Sequence, residues 1–123
     1  MTPDSTERNV AASELFSAAT ETYNQIRAAV ERRLTVVALY DGYRRELCPH
    51  EIGWKKGVPH ALFYQRAGDS SKGVVVPGSA SNWRCLDLSK LQILEVKASG
   101  WEAIPRRIRR SSCLDEIDLE VPL

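Results

Sequence analysis

The chain has 123 residues, 43% of them hydrophobic and 27% charged, which suits one small folded domain around one modest core. No stretch approaches the roughly 20 consecutive apolar residues that a membrane-spanning helix needs, so no membrane partner is expected. The formal net charge of +1 hides a segregation: residues 25–110 hold 16 Lys/Arg against 8 Asp/Glu, a balance of +8, whereas the flanks hold one Arg (Arg8) against 8 acidic residues, a balance of −7. The middle of the chain can therefore attract an anion that the total charge does not suggest, unless the acidic flanks fold back over it.

Residues 1–12 read as a disordered lead, because Pro3, Asp4, Ser5 and Thr6 bury nothing. Met1 to Val10 is polar, with neither a signal-peptide apolar core nor an Arg-rich transit helix, so the expected location is the cytoplasm. Cys48, Cys85 and Cys113 are an odd number of cysteines; in that compartment they are expected as reduced thiols.

Residues 13–123 are then one domain: a helix over 13–33, a β core over 34–97, and a basic segment with a closing strand over 98–123. Ser13 is a suitable N-cap with Glu14 in the first turn, and Leu15, Ala19, Thr22, Tyr23, Ile26 and Val30 recur every three or four residues as one apolar stripe. Arg32 and Arg33 suit the C-terminal end. Thr35 to Tyr40 is β-branched and aromatic and runs into Asp41-Gly42, a two-residue hairpin signal. Such a turn sets Tyr40 opposite Tyr43, Ala38 opposite Arg45 and Val36 opposite Leu47, which places all six on one face. That face is apolar except for Arg45. An unpaired buried charge is costly, so Arg45 either meets an acidic partner or lines a site for an anion.

Pro49 is expected to close the second strand and Lys55-Lys56-Gly57 to turn the chain into a strand over His60 to Arg66. Its His60, Leu62 and Tyr64 share one face; Ala61, Phe63 and Gln65 take the other. Residues 68–82, with Gly68, Gly73 and Gly78, read as a long loop in which Val74-Val75-Val76 could form a short edge strand. Two more strands follow, Trp83 to Leu88 and Leu91 to Val96; Arg106-Arg107-Ile108-Arg109-Arg110 is a basic surface tract. Ile117, Leu119 and Val121 alternate with Asp118 and Glu120 as a closing edge strand. Several short strands behind one helix predict a mostly β fold, a small and strongly bent antiparallel sheet or barrel.

Three chemical readings can be tried on these residues. Cys48, His50, His60, Cys85 and Cys113 offer metal-ligand types but no Cys-x-x-Cys pair, and no metal is expected. Cys48 and His50 fall on one strand face, as a thiol nucleophile and its base would, although sequence neighbours of this kind arise by chance. Asp87 with Glu95-Val-Lys97 fits an Asp…Glu-x-Lys nuclease pattern, which needs flanking helices that a chain with one helix does not offer. No phosphate-cradling Gly-rich loop is present. No catalytic residue and no cofactor are expected, and the chain is read as a binding module.

Three stretches resemble the WYL domain, a small SH3/Sm-like barrel family found with bacterial regulators and defence proteins. Tyr40 followed by Arg45-Glu-Leu47-Cys-Pro49 is similar to the family's Tyr and Arg-x-hydrophobic-x-Pro. His60-Ala61-Leu62 stands where its Trp-Tyr-Leu would be, and Arg84-Cys-Leu86-Asp-Leu88-Ser-Lys90-Leu91 is similar to its Arg-x-Phe-x-Leu-x-Arg-Ile. The name-giving Trp and Tyr are thus His60 and Ala61 here, and the last Arg is Lys90. The resemblance covers about residues 25–97. It implies a stand-alone sensing or accessory module that binds a nucleotide or single-stranded nucleic acid through a surface made by Tyr40, Arg45, His50 and Arg84. Independently, Trp83 offers a face on which a base could stack beside the arginine forks. The alternative is a protein-interaction subunit or homodimer with no small ligand, and a small metal-dependent nuclease comes third.

Overall fold

The computed structural model describes residues 19–76, 78–102 and 113–122. Helix α1 occupies residues 19–32; its expected start at Ser13 and the Arg106–Arg110 tract lie outside the described residues. Arg33 ends the helix in the left-handed region (φ 55°), and the Leu34 N–H turns back to the Ala29 carbonyl at 2.9 Å, a Schellman closure. No described helix is long and apolar enough to cross a membrane.

Six strands follow: β1 (Thr35–Tyr40), β2 (Tyr43–Lys55), β3 (Val58–Gly68), β4 (Trp83–Asp87), β5 (Gln92–Lys97) and β6 (Glu116–Glu120). All pairs are antiparallel, in the order β4-β3-β2-β1-β5, with β6 joined to β2. The β1–β2 register is the expected one, Val36↔Leu47, Ala38↔Arg45 and Tyr40↔Tyr43. Asp41 (φ 53°) and Gly42 (φ 79°) both take the positive φ that a tight hairpin turn of this hand needs.

Pro49 does not close β2. The strand runs on to Lys55, and its register against β3 shifts between Pro49 and Glu51, while the His50 carbonyl accepts the Val121 N–H at 2.9 Å. A proline is tolerated at such a bulge because no donor is required there, and the bulge bends the strand. One long bent strand thus serves three neighbours: β3 along one edge, and on the other β1 with its first half and β6 with its second. Val74–Val76 is not a strand. Val75 is buried, its N–H reaching the Gly68 carbonyl at 3.1 Å, while Val74 and Val76 are 79% and 69% exposed. The loop closes on a 3₁₀ turn at Ala80–Asn82, and a second such turn at Leu88–Lys90 links β4 to β5.

The core lies on one face of the bent sheet. Val36 and Ala38 of β1, Leu47 and Ile52 of β2, Ala61 and Phe63 of β3 and Leu86 of β4 pack there with Ile26, Ala29 and Val30 of α1. Burying one side chain such as Phe63 contributes about 1.5–3 kcal/mol. The helix is fastened to β6 by polar contacts as well: the Tyr23 hydroxyl donates to Asp118 Oδ2 at 2.6 Å, and Arg27 Nε lies 3.0 Å from the same oxygen.

The expectation of three reduced thiols fails. Cys85 on β4 and Cys113, just ahead of β6, form a disulfide with a Cα–Cα distance of 5.5 Å, and Cys48 alone is free and buried. The number of cysteines does not decide the pairing; the chain ahead of β6 returns to Cys85 on β4.

Candidate arginine site on the core-bearing face

The hairpin carries Tyr40, Tyr43 and Arg45 to one end of the core-bearing face. Gly68 lies opposite Arg45 in the ladder at φ 98°, and a Cβ there would collide with the backbone of Arg44 and Arg45. Only glycine lets β3 lie this close to Arg45.

Arg45 is 3% exposed. Its Nε and Nη2 donate to the Tyr40 carbonyl at 3.3 and 3.2 Å, and its Nη1 donates to Gln65 Oε1 at 3.2 Å. The guanidinium carbon lies 5.4 Å from the Tyr40 ring centroid and 5.5 Å from that of Tyr43, within cation–π range. All of these partners are neutral. Among the described residues the ion pairs are Arg27–Asp118, Arg66–Glu46 and Lys97–Glu46, so the acidic partner allowed for Arg45 is not found there.

Arg84 is the second cation of this face. It sits opposite Phe63 at the start of β4, half-buried, and its Nη1 donates to the Ser81 carbonyl at 2.6 Å and the Trp83 carbonyl at 3.3 Å. Burial first, and then the like charge of Arg45, hold its pKa below the ordinary arginine value. Tyr40 is fixed at its far end, where its hydroxyl accepts the Asp87 N–H at 3.2 Å.

His50 and Trp83 are placed elsewhere. Trp83 is opposite Tyr64, on the face away from the core cluster, and meets it edge-on at 5.4 Å. His50, 1% exposed, packs edge-on to Trp83 at 4.9 Å and stacks on Trp101 at 4.6 Å, with its Nδ1 2.8 Å from the Cys48 carbonyl. The five expected site residues therefore divide. Tyr40 touches Arg45 and, through its hydroxyl, the strand of Arg84; His50 and Trp83 belong instead to an aromatic cluster with Trp101 and Tyr64, Trp83 facing away from Arg84 because successive residues of a strand face opposite ways. Gln65 joins the arginine site as well. Its signal was available: it is the polar residue of the inward set Ala61, Phe63 and Gln65, as Arg45 is of its own set. Its Nε2 also donates to the carbonyls of Ala67 and Asp69 at 3.2 and 2.9 Å, which aims its Oε1 at the guanidinium.

The rival chemistries find their residues occupied. Asp87 Oδ1 caps the Leu88–Lys90 turn by accepting from the N–H and hydroxyl of Ser89, and Lys97 is paired with Glu46. The Cys48 thiol donates to the Gly100 carbonyl at 3.9 Å, and burial pushes its pKa up, away from the thiolate a nucleophile needs. Among the described residues, no three His, Cys, Asp or Glu side chains are grouped to hold a metal ion.

Compared with known protein families, with curated proteins and with solved structures, the chain matches none.

Proposed function

We propose that this chain is a ligand-binding module, of the sensing or accessory kind that the WYL resemblance implies, in regulation or defence. Arg45 and Arg84 take the phosphate of a nucleotide or of a single-stranded nucleic acid. One observation carries the reading: a buried guanidinium held only by neutral partners, on the face that also carries Arg84, with no carboxylate paired to either among the described residues. Removing a cation from water without a counter-charge costs stability, and a phosphate bound between the two would supply that charge through planar, charge-assisted hydrogen bonds. Tyr40 and Gln65 orient Arg45. The module binds rather than catalyses.

The rival reading, a protein-interaction subunit, is favoured by a different observation, the exposed Val74 and Val76 at the tip of the 68–82 loop. One titration separates the two. Adenosine monophosphate and a short single-stranded oligonucleotide are added to the protein at about 50 mM and about 200 mM salt. Binding that weakens as salt rises is expected for a phosphate contact. No binding of either at the lower salt removes the phosphate reading and leaves the docking one.

A further inference from the structure

We infer that the Arg45–Arg84 site takes one terminal phosphate, a monoester dianion, and reads neither the base nor the interior of a strand. This rests on the phosphate reading of the two arginines and narrows it.

Tyr40 is what links the two cations: the Arg45 guanidinium lies over its ring, and its hydroxyl meets the Asp87 N–H on β4, the strand that carries Arg84. Arg44, the next residue along β2, is exposed, and Arg66 and Lys97 lie on the opposite face, gathered by Glu46. A protein that follows a strand needs a basic groove and open ring faces at successive positions. At this site the rings are already engaged. Tyr40 and Tyr43 each have the Arg45 guanidinium over the ring, and the Tyr40 hydroxyl is bonded to the Asp87 N–H. Trp83, the ring expected to stack on a base, is on the other face against His50 and Tyr64. A base is left without its platform, and the phosphate carries the recognition.

Charge separates the two kinds of phosphate. A monoester carries about −1.5 to −2 near neutral pH, whereas a diester within a strand carries a single charge. Two guanidiniums without a carboxylate partner match the dianion. Accessibility divides the labour between them: Arg84 is half-buried and can fork a phosphate at the rim, and Arg45 supplies its field from beneath. With three of its N–H groups directed at Tyr40 and Gln65, the five-donor guanidinium keeps two more for an incoming oxygen.

Calorimetric titration at about 50 mM salt tests this with ribose 5-phosphate, the 5′-monophosphates of adenosine and cytidine, adenosine itself, and one oligonucleotide with and without a 5′-phosphate. The three monoesters are expected to bind within about threefold of one another. Adenosine and the unphosphorylated oligonucleotide are expected to bind at least about tenfold more weakly, the scale of one lost charge-assisted hydrogen bond. Arg84→Gln, at a half-exposed position that folding tolerates, is expected to weaken all three monoesters about tenfold or more. A difference above tenfold between the two nucleotides, or an unphosphorylated oligonucleotide that binds as well as the phosphorylated one, overturns the inference while leaving a phosphate site in place. No binding of any phosphate, or binding that Arg84→Gln does not change, overturns the site itself.

Discussion

Each face of the bent sheet carries a pair of cations, and the protein treats the two pairs differently. On the face away from the core, Arg66 Nη1 and Lys97 Nζ converge on Glu46 Oε1 at 3.4 and 2.9 Å, a half-buried cluster that is neutralised in place. On the core-bearing face, the more deeply buried Arg45 and its neighbour Arg84 have backbone carbonyls, an amide and tyrosine rings, and no carboxylate among the described residues. The chain could place an acid beside a cation, since it did so with Glu46, the residue next to Arg45. A cation kept only for packing is expected to resemble Arg66. The proposed phosphate would supply the counter-charge that this pair lacks among the described residues.

The largest effect is expected where the comparison predicts structure and no binding. His50→Ala opens a cavity between Trp83 and Trp101, and should lower unfolding stability by about 2–4 kcal/mol in urea titrations. Phosphate binding should be unchanged wherever the protein remains folded. A loss of binding without loss of stability would return His50 to the site.

Arg45→Met should act in the opposite sense. Stability is expected to stay within about 1 kcal/mol of the parent, because a methionine suits the apolar face and strands no carboxylate. Binding of a monoester should fall by about tenfold or more. A fall in stability of about 3–5 kcal/mol, the signature of a broken buried ion pair, would show that Arg45 has an acidic partner and is structural.

The smallest effect is a pH dependence to which the neutralised pair contributes and the arginine site does not. Glu46 is held below the ordinary carboxylate pKa first by the Lys97 hydrogen bond, against burial, and then by the charges of Lys97, Arg66 and Arg44. A carboxyl depressed in the folded state contributes stability that is present above its unfolded pKa, near 4.3, and is lost as pH falls through the lower folded value. Asp118, depressed first by the Tyr23 hydrogen bond, adds to the same acid limb. Glu46→Gln should therefore flatten that limb in thermal melts between about pH 5 and pH 2, and Arg45→Met should leave its slope unaltered.

Much of the arginine site was legible in the residues. Asp41-Gly42 sets the hairpin register, and that register alone puts Arg45 among Val36, Ala38, Tyr40 and Leu47. The side of the sheet on which Trp83 emerges was not legible. β4 follows the long 68–82 loop, so its phase is set by pairing with β3, Tyr64↔Trp83, which no local signal announces. The same holds for Pro49, whose bulge lets a strand continue where a proline would ordinarily end it. Cys85 and Cys113, 28 residues apart, meet only because β6 returns to the second half of β2.

That crosslink has a topological consequence. Residues 85–113 form a covalent ring, and the backbone within it can be cut once without releasing either piece. A protease nick between Leu86 and Ser112 would leave the mass of the molecule unchanged, apart from one added water, on a non-reducing gel. Two fragments would appear only after a thiol is added. In an oxidising compartment the clipped chain stays one molecule, still carrying Arg45, Arg84 and the acidic last strand together; in a reducing one the same cut severs that strand from them.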